Sequence, residues 1–314
     1  MQKKSFSLAA RDGFSLPVTL WIPDQTPRGI LQIAHGMTEH IGRFASLAAA
    51  LTECGIAVAG FDLRGHGTNP GEPDFVTMGP DGWQESVSDI GILSAWIARN
   101  YPGLPHAMLG FSLGSFLLRD YLTGHRDSVC AVILMGTGNQ PTALLRLLKA
   151  VVRGQIRKSG FDRPTPLVRQ LSFGAYNRNF RPNRTEADWL CADSAELDGF
   201  LADPLCRPGI SAGLFWQLLD SMERVGSPKV CRNWDPEVPV LLLSGGDDPV
   251  GNGGKGVRAV QKQLRKAGIR HITLTLLPGA RHDVLHEEAS GSAAAARKCI
   301  LDFLRDIDSL RKSD

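Results

Sequence analysis

Long apolar runs and close cysteine pairs are both missing from the sequence. No stretch reaches the roughly 18 uninterrupted apolar residues that a membrane-spanning helix requires. The six cysteines are scattered without a C-x-x-C pair, a usage typical of reduced rather than disulfide-stapled proteins. The apolar patch near the N-terminus is broken before Arg11 and Asp12, so it lacks the form of a secretory signal. These absences favour a cytoplasmic protein.

Strong charge and clustered histidines are missing as well. The net charge is only +3 and no nucleic-acid-binding motif is present. Among the eight histidines, the pair His282 and His286 has the i, i+4 spacing of a metal-binding helix pair. No glutamate follows His282 directly, as that motif requires. We therefore expect neither a bound metal nor a nucleic-acid partner.

Strand-like and helix-like runs alternate along the 314 residues, and 43% of the residues are hydrophobic, enough for a sizeable core. The alternation predicts an α/β fold with a mainly parallel, doubly wound sheet. It stops between Gly138 and about Trp234, a segment too long for a plain crossover connection. The sequence thus predicts a core made of residues 1–138 and 235–314, with an inserted helical cap, or lid, over residues 139–234. The predicted strands are 5–8, 16–22, 30–34, 56–61, 106–110, 129–135, 238–244 and 271–277.

The pentapeptide Gly110-Phe-Ser-Leu-Gly114 follows an apolar run and has the form of a nucleophile elbow. A serine at the tip of a sharp strand-to-helix turn needs small residues two positions before and after it, because larger side chains collide with neighbouring backbone. Gly110 and Gly114 meet that need. The residues after Ser112 predict a helix whose N-terminal amides favour negative charge at the turn. Ser112 is therefore the candidate nucleophile.

A serine nucleophile also needs a histidine base and a carboxylate that orients the histidine. In the α/β-hydrolase arrangement the acid and then the histidine follow the serine along the chain. Asp248 and His282 stand in those places, each on a loop just after a predicted strand. Parallel sheets carry their chemistry on such loops. We therefore expect Ser112, Asp248 and His282 to form a catalytic triad.

A second loop is predicted to hold the oxyanion of the reaction. The strand ending at Ala34 leads into His35-Gly36, a pair that allows the backbone to turn back toward the nucleophile. An oxyanion hole needs two N–H donors aimed at one point. The backbone N–H groups of Met37 and Leu113 are the predicted donors.

Five motifs occur in a fixed order over nearly the whole chain. They are His35-Gly-Met-Thr-Glu-His40 with Arg43-Phe44, Asp62-Leu-Arg-Gly-His-Gly67, Gly110-Phe-Ser-Leu-Gly114, Gly245-Gly-Asp-Asp-Pro-Val250 and Gly279-Ala-Arg-His282. Together they resemble the monoacylglycerol lipase and lysophospholipase group of α/β-hydrolases, which is serine-aminopeptidase-like (S33). The resemblance implies that Asp248 rather than Asp247 is the triad acid, and that Glu39 and His40 brace the oxyanion loop. Phe44 and Thr68 depart from it, because tyrosine and serine are usual at those places.

The candidate triad and the oxyanion donors together predict a serine carboxylic-ester hydrolase that works through an acyl-enzyme and needs no metal or organic cofactor. The resemblance implies monoacylglycerols, lysophospholipids or similar single-chain acyl esters as small-molecule substrates. Two alternatives stay open: a non-catalytic binding module, and an amide or peptide hydrolase with a cap carboxylate for the substrate amine. The cap acids able to supply that carboxylate are Glu186, Asp188, Asp193, Glu196 and Asp198.

The predicted cap is basic in its first half. From Arg146 to Arg184, ten basic residues stand against a single acid, Asp162, with apolar residues between them. Such a segment is commonly a solvated positive face. It also fits peripheral contact with an anionic lipid surface or a negatively charged head group. Farther along, Phe215, Trp216 and Leu219 have spacings compatible with lining a substrate pocket.

Overall fold

The computed structural model describes residues 1–69, 71–126 and 129–311. Their strands are β1 (Gln2–Ala9), β2 (Ser15–Ile22), β3 (Gly29–Ala34), β4 (Ile56–Phe61), β5 (Phe75–Val76), β6 (His106–Phe111), β7 (Ala131–Met135), β8 (Gly209–Ile210), β9 (Val240–Gly245) and β10 (Ile272–Leu277). Eight of these form one sheet in the order β1-β2-β4-β3-β6-β7-β9-β10. The pairs β1·β2 and β2·β4 are antiparallel, and the pairs from β4 through β10 are parallel. The predicted mainly parallel sheet is confirmed.

Helices cover both faces of this sheet. In chain order they are α1 (Ala45–Glu53), α2 (Gly82–Asn100), α3 (Leu113–Gly124), α4 (Thr142–Ser159), α5 (Pro166–Arg169), α6 (Ala175–Asn177), α7 (Ser194–Ala202), α8 (Ala212–Val225), α9 (Pro228–Cys231), α10 (Lys255–Ala267) and α11 (Ser292–Arg311). Helices α1 and α11 pack on one face, and α2, α3 and α10 pack on the other. Because both faces are covered, β3, β4, β6, β7 and β9 are almost wholly buried, which explains their continuous apolar runs.

Some strand ends differ from the predicted ones, because backbone pairing does not stop where the apolar pattern stops. β1 begins at Gln2 rather than at residue 5, because edge hydrogen bonds with β2 continue past the apolar side chains. The parallel pair β5·β8, with Phe75 opposite Gly209, was not predicted. Two-residue strands are too short to leave a periodic signal.

Residues 139–234 form α4 to α9 and β8, and they lie between β7 and β9 of the large sheet. Within this segment α4 packs on α8, and α8 packs on α3, the helix that follows Ser112. The segment therefore lies over the carboxyl end of β6. Its assignment as a separate cap stays a prediction, and we call it the cap segment. Among the helices described, none has the length and apolarity needed to cross a membrane.

Candidate active site

Ser112 lies at the turn between β6 and α3 with φ 48° and ψ −116°. A non-glycine residue in such a conformation costs about 1–3 kcal/mol and persists only where its surroundings hold it. Here its N–H donates to the carbonyl of Met135 at 2.9 Å. A Cβ on Gly110 would lie 2.6 Å from the carbonyl oxygen of Gly114, and one on Gly114 would collide with the carbonyl of Ala34. Both positions therefore require glycine.

His282 and Asp248 form a hydrogen-bonded pair beneath the cavity. The imidazole Nδ1 lies 2.9 Å from Asp248 Oδ1, and both side chains are almost fully buried. The carboxylate also accepts from the Val250 N–H at 2.8 Å and the Ser244 hydroxyl at 2.9 Å. Because an ionised carboxylate only accepts, Nδ1 carries the hydrogen and Nε2 is left as an acceptor. This Nε2 is buried without a hydrogen-bond partner among the described residues.

Two aromatic rings pack against the His282 imidazole. The centroid of Phe111, at the end of β6, lies 5.0 Å from that of His282, and the centroid of Trp189 lies 5.1 Å away. Trp189 belongs to the cap segment, so this segment contacts the candidate base directly. No spacing rule links positions 189 and 282, so local sequence patterns do not predict this contact.

The predicted oxyanion donors border the same cavity as Ser112 and His282. The N–H of Gly36 donates to Glu39 Oε1 at 2.5 Å, which leaves the Met37 N–H as the next amide of the turn. Leu113 is the first residue of α3, and the first N–H groups of a helix have no intrahelical partner. Neither amide donates a hydrogen bond within the described chain.

His35 supports this turn from below. Its Nε2 accepts from the Leu63 N–H at 2.9 Å, and its Nδ1 donates to the Gly36 carbonyl at 2.7 Å. The ring is fully buried. Burial lowers the pKa of His35 to about 4, so the imidazole is neutral at pH 7. His35 is therefore a fixed spacer between the Gly36 turn and the loop after β4.

A buried ionic network links the oxyanion turn to the histidine loop. Arg43 Nε donates to Glu39 Oε2 at 3.2 Å, and Arg43 Nη2 donates to Asp283 Oδ2 at 2.9 Å. The other Asp283 oxygen lies 2.8 Å from Nδ1 of His286. Burial and the Asp283 carboxylate raise the pKa of Glu39. Burial opposes ionisation of Asp283, but His286 and Arg43 outweigh it and hold that pKa well below its usual range.

Of this network, only Glu39 has a predicted role, and none was predicted for Arg43, Asp283 or His286. Two signals were available. Arg43 follows Glu39 at the i, i+4 spacing of helical ion pairs, and Asp283 adjoins His282.

His40 contacts both its own loop and the cap segment. Its Nδ1 accepts from the Gly42 N–H at 3.2 Å, and its Nε2 lies 2.9 Å from Asp203 Oδ2. Its role as a brace of the oxyanion loop stays a prediction. The resemblance carried no information about this tertiary contact. His40, Asp203 and Cys206 are the described group whose potential metal-ligand atoms lie within 4.8 Å of one another. Burial raises the pKa of the Cys206 thiol and so disfavours its thiolate.

A cavity of about 780 Å³ lies between the sheet edge and the cap segment. Its lining includes Met37, Ser112, Leu113, Phe116, Trp189 and His282. A cavity of this size is within the range of about 300–1,000 Å³ that is usual for small-molecule sites.

The predicted pocket residues on α8 are corrected in part. Phe215 borders the cavity, together with Leu218 and Met222. Trp216 and Leu219 are absent from the described lining. Trp216 lies one residue around the helix and packs beneath cationic side chains of α4, while Leu219 is buried in the main core. Spacing alone could not say which side of α8 faces the cavity.

Residues 25–289 match the sequence profile of the serine aminopeptidase family, S33. The chain belongs to this family. It is 26% identical over 287 residues to a monoacylglycerol lipase of Mycolicibacterium smegmatis, which covers 91% of this chain and 92% of that protein. It is 29% identical over 288 residues to the monoglyceride lipase of Homo sapiens, covering 90% and 84%.

Solved structures show the same fold. A carboxyl esterase from Bacillus coagulans in complex with glycerol superposes with a TM-score of 0.86 at 23% identity, covering 98% of this chain and 99% of that one. A monoacylglycerol lipase of Paleococcus ferrophilus gives 0.71 at 21% identity, with coverage of 94% and 100%. The predicted α/β-hydrolase fold and the predicted family are confirmed, and the protein is a serine hydrolase.

In this S33 hydrolase the cap segment is fastened to the loop that carries the candidate base. The N–H of Asp283 donates to the Leu190 carbonyl at 2.7 Å. Arg281 donates to the carbonyls of Asp188 and Cys191, and its guanidinium lies 4.4 Å from the ring centroid of Phe180. Both neighbours of His282 in the sequence are thus held by the cap segment.

Proposed function

We propose that the protein is a serine carboxylic-ester hydrolase for monoacylglycerols, lysophospholipids or similar single-chain acyl esters. One observation carries the proposal. His282 is held by Asp248 through Nδ1, while its unpartnered Nε2 belongs to a ring that borders the same cavity as Ser112. A general base must offer an acceptor nitrogen that is free to take the proton of the nucleophile, and Nε2 meets that need. The relatives named monoacylglycerol lipase support the ester substrate.

The proposed reaction has two steps. His282 Nε2 takes the proton of Ser112 Oγ as that oxygen attacks the ester carbonyl carbon, and the Met37 and Leu113 N–H groups hold the resulting oxyanion. Asp248 stabilises the imidazolium, which then protonates the leaving alcohol oxygen. In the second step His282 takes a proton from water, whose oxygen attacks the acyl-enzyme. The fatty acid leaves, and Ser112 regains its hydroxyl hydrogen.

The cavity favours an acyl chain over a polar substrate. Phe116, Phe215, Leu218 and Met222 border it and are all buried. Transfer of apolar surface from water into such a site contributes about 25 cal/mol for each Å². An alkyl chain can therefore supply most of the binding energy from this end of the cavity.

For the amide-hydrolase alternative, four of the five cap acids considered already have partners, and Glu196 is absent from the described cavity lining. Of the five cap acids considered, Glu186 borders the cavity, and Arg169 already pairs with it. Asp188 accepts backbone N–H groups, Asp193 caps α7, and Asp198 pairs with an arginine. A substrate ammonium at Glu186 would have to displace Arg169. This arrangement supports an ester rather than an aminoacyl substrate.

The exposed face of α4 supports peripheral contact with an anionic lipid surface. Leu144, Leu147 and Val151 are 42%, 63% and 38% exposed, and their spacing places them along one side of the helix. Arg153 and Arg157 follow on the same helix. We expect Leu147→Asp to reduce co-sedimentation with anionic vesicles. Unchanged sedimentation of the variant would remove α4 as the contact.

The proposed activity is tested by hydrolysis of p-nitrophenyl esters and monoacylglycerols of increasing chain length. Turnover should rise with chain length, and Ser112→Ala should lower kcat by roughly three orders of magnitude or more. Ser46→Ala, on the exposed side of α1, is the matched control and should keep wild-type turnover. Ser112-dependent cleavage of aminoacyl amides alone would favour the amide hydrolase. Absence of Ser112-dependent turnover on every ester and amide would favour the binding module.

A further inference from the structure

Two arginines at the edge of the cavity have no acidic partner. Arg178 and Arg181 both border the cavity and are exposed to solvent. No carboxylate of the described chain lies within ion-pair distance of either guanidinium. Their neighbours differ, because Arg169 pairs with Glu186 and Arg184 pairs with an aspartate of α7. The free positive charge of this part of the cap segment therefore faces the cavity.

The turn that carries these arginines is fixed relative to the candidate base. Tyr176, two residues before Arg178, has its ring centroid 5.2 Å from that of Trp189, which lies against His282. Phe180, between the two arginines, lies beneath the guanidinium of Arg281. Arg178 and Arg181 thus belong to a supported surface that continues to the site of the reaction.

The cavity is divided between an apolar end and a charged rim. Phe215, Leu218 and Met222 are buried, whereas Arg178 and Arg181 are exposed. An acyl ester bound at Ser112 with its chain against the buried side chains directs its alcohol portion toward the rim. Guanidinium groups bind phosphate oxygens through paired, charge-assisted hydrogen bonds.

We infer that Arg178 and Arg181 form a head-group subsite that makes single-chain esters of a glycerol phosphate better substrates than neutral monoacylglycerols. This inference rests on the proposed ester hydrolase. Water adds its hydroxyl to the acyl carbon, the acyl carbon–oxygen bond breaks, and the glycerol oxygen takes the remaining proton. The products are a fatty acid and glycerol phosphate, and the phosphate group itself is unchanged.

Three acidic residues border the same cavity, and one of them, which has no ion-pair partner among the described residues, provides an internal control. Asp74 borders the cavity just before β5 and is exposed. A carboxylate there repels a phosphate head group. The subsite thus predicts opposite effects for removal of the arginine charges and removal of the Asp74 charge.

The test compares kcat/KM for 1-lauroylglycerol 3-phosphate and 1-lauroylglycerol, both as monomers without vesicles. Wild type should prefer the phosphate ester. Arg178→Gln with Arg181→Gln should lower kcat/KM for the phosphate ester about tenfold, the size expected for a charge-assisted contact. The neutral ester should change less than about twofold, as for a surface change. Asp74→Asn should raise the phosphate-ester rate, and Arg184→Gln, outside the described lining, should change neither.

Binding of non-hydrolysable ethers separates this inference from the proposed function. Ser112→Ala is titrated with 1-O-dodecylglycerol 3-phosphate and with 1-O-dodecylglycerol, and the fluorescence of the tryptophans, which include Trp189 in the cavity, is followed. The phosphate ether should bind more tightly, and the double arginine variant should remove the difference. Equal binding of the two ethers, equal losses on both esters, or a preference that appears only with anionic vesicles would overturn the subsite. Absence of Ser112-dependent turnover with charge-selective binding would overturn the ester hydrolase alone.

Discussion

The site has a core half, which includes Ser112, Asp248, His282 and His35, and a cap half, which is formed by residues of the cap segment. The two halves are built in different ways. On the core side, hydrogen bonds hold each group in place: both oxygens of Asp248 accept bonds, and His35 bonds through both ring nitrogens. On the cap side, the walls are mainly apolar, and Arg178 and Arg181 are open to solvent. Directional bonds fix positions closely, whereas burial of apolar surface is non-directional. The core half is thus suited to chemistry and the cap half to choice of substrate.

Within the cap segment, side chains near the sheet have fixed hydrogen-bond partners, whereas side chains at the cavity rim are exposed to solvent. Near the sheet, Asp203 meets His40 at 2.9 Å, and the guanidinium of Arg207 donates to the carbonyls of Gly65 and Gly67. At the rim, Arg178 bonds to no described carboxylate. The cap-segment side chains near the sheet thus have fixed partners, whereas Arg178 at the rim is open to substitution without loss of a described ion pair.

The largest effect should come from the core half. Asp248→Asn keeps the size of the side chain but offers His282 Nδ1 an amide that favours the wrong tautomer, so kcat should fall by roughly 10⁴. Asp247→Asn is the matched control, because Asp247 is exposed and adjacent. It should keep wild-type kcat. Equal losses in the two variants, measured on one ester at saturation, would mean that the carboxylate has been misassigned.

An intermediate effect should follow acidification of the buried core half. The pKa of His35 is about 4 in the folded chain against an ordinary 6.5. Between these values the unfolded chain binds a proton that the folded chain does not, so the free energy of unfolding falls as pH falls, by at most about 1.4 kcal/mol per pH unit for each such histidine. Burial likewise lowers the pKa values of His66 to about 3 and His106 to about 4.

Urea unfolding of wild type and His35→Gln at about pH 7 and about pH 5 measures this dependence. The variant should be less stable at the higher pH, and its loss of stability on acidification should be smaller than that of wild type. An identical loss in both proteins would show that His35 does not contribute to the pH dependence of the free energy of unfolding.

The smallest effect should come from the cap half and should depend on the substrate. Phe215→Ala removes apolar surface from the cavity, so kcat/KM should fall roughly tenfold for long-chain esters and little for short ones. Trp216→Ala, one residue along α8, should lower stability without changing the chain-length profile, because the ring packs under α4. If Trp216→Ala shifted the profile instead, the orientation of α8 would be wrong.

Local patterns in the sequence predicted most of the sheet and the core half of the site. Gly110 and Gly114 predicted a turn that only glycine can flank, and the structure has that turn around Ser112. The roles of Ser112, Asp248, His282 and the two amides remain predictions for the experiments above. Trp189, Arg43 and Asp283 escaped sequence reasoning, because their importance lies in contacts between distant parts of the chain.

By itself the sequence determined the alternation of strands and helices, the order of the candidate catalytic residues and the excess of positive charge in the cap segment. These features depend on neighbours along the chain, since side-chain periodicity and turn conformation act over a few residues. Tertiary structure alone decided that Phe215 rather than Trp216 faces the cavity, that His40 meets Asp203, and which arginines keep a free charge. Such outcomes depend on how separate helices and loops pack together, and packing brings together residues that no local pattern connects.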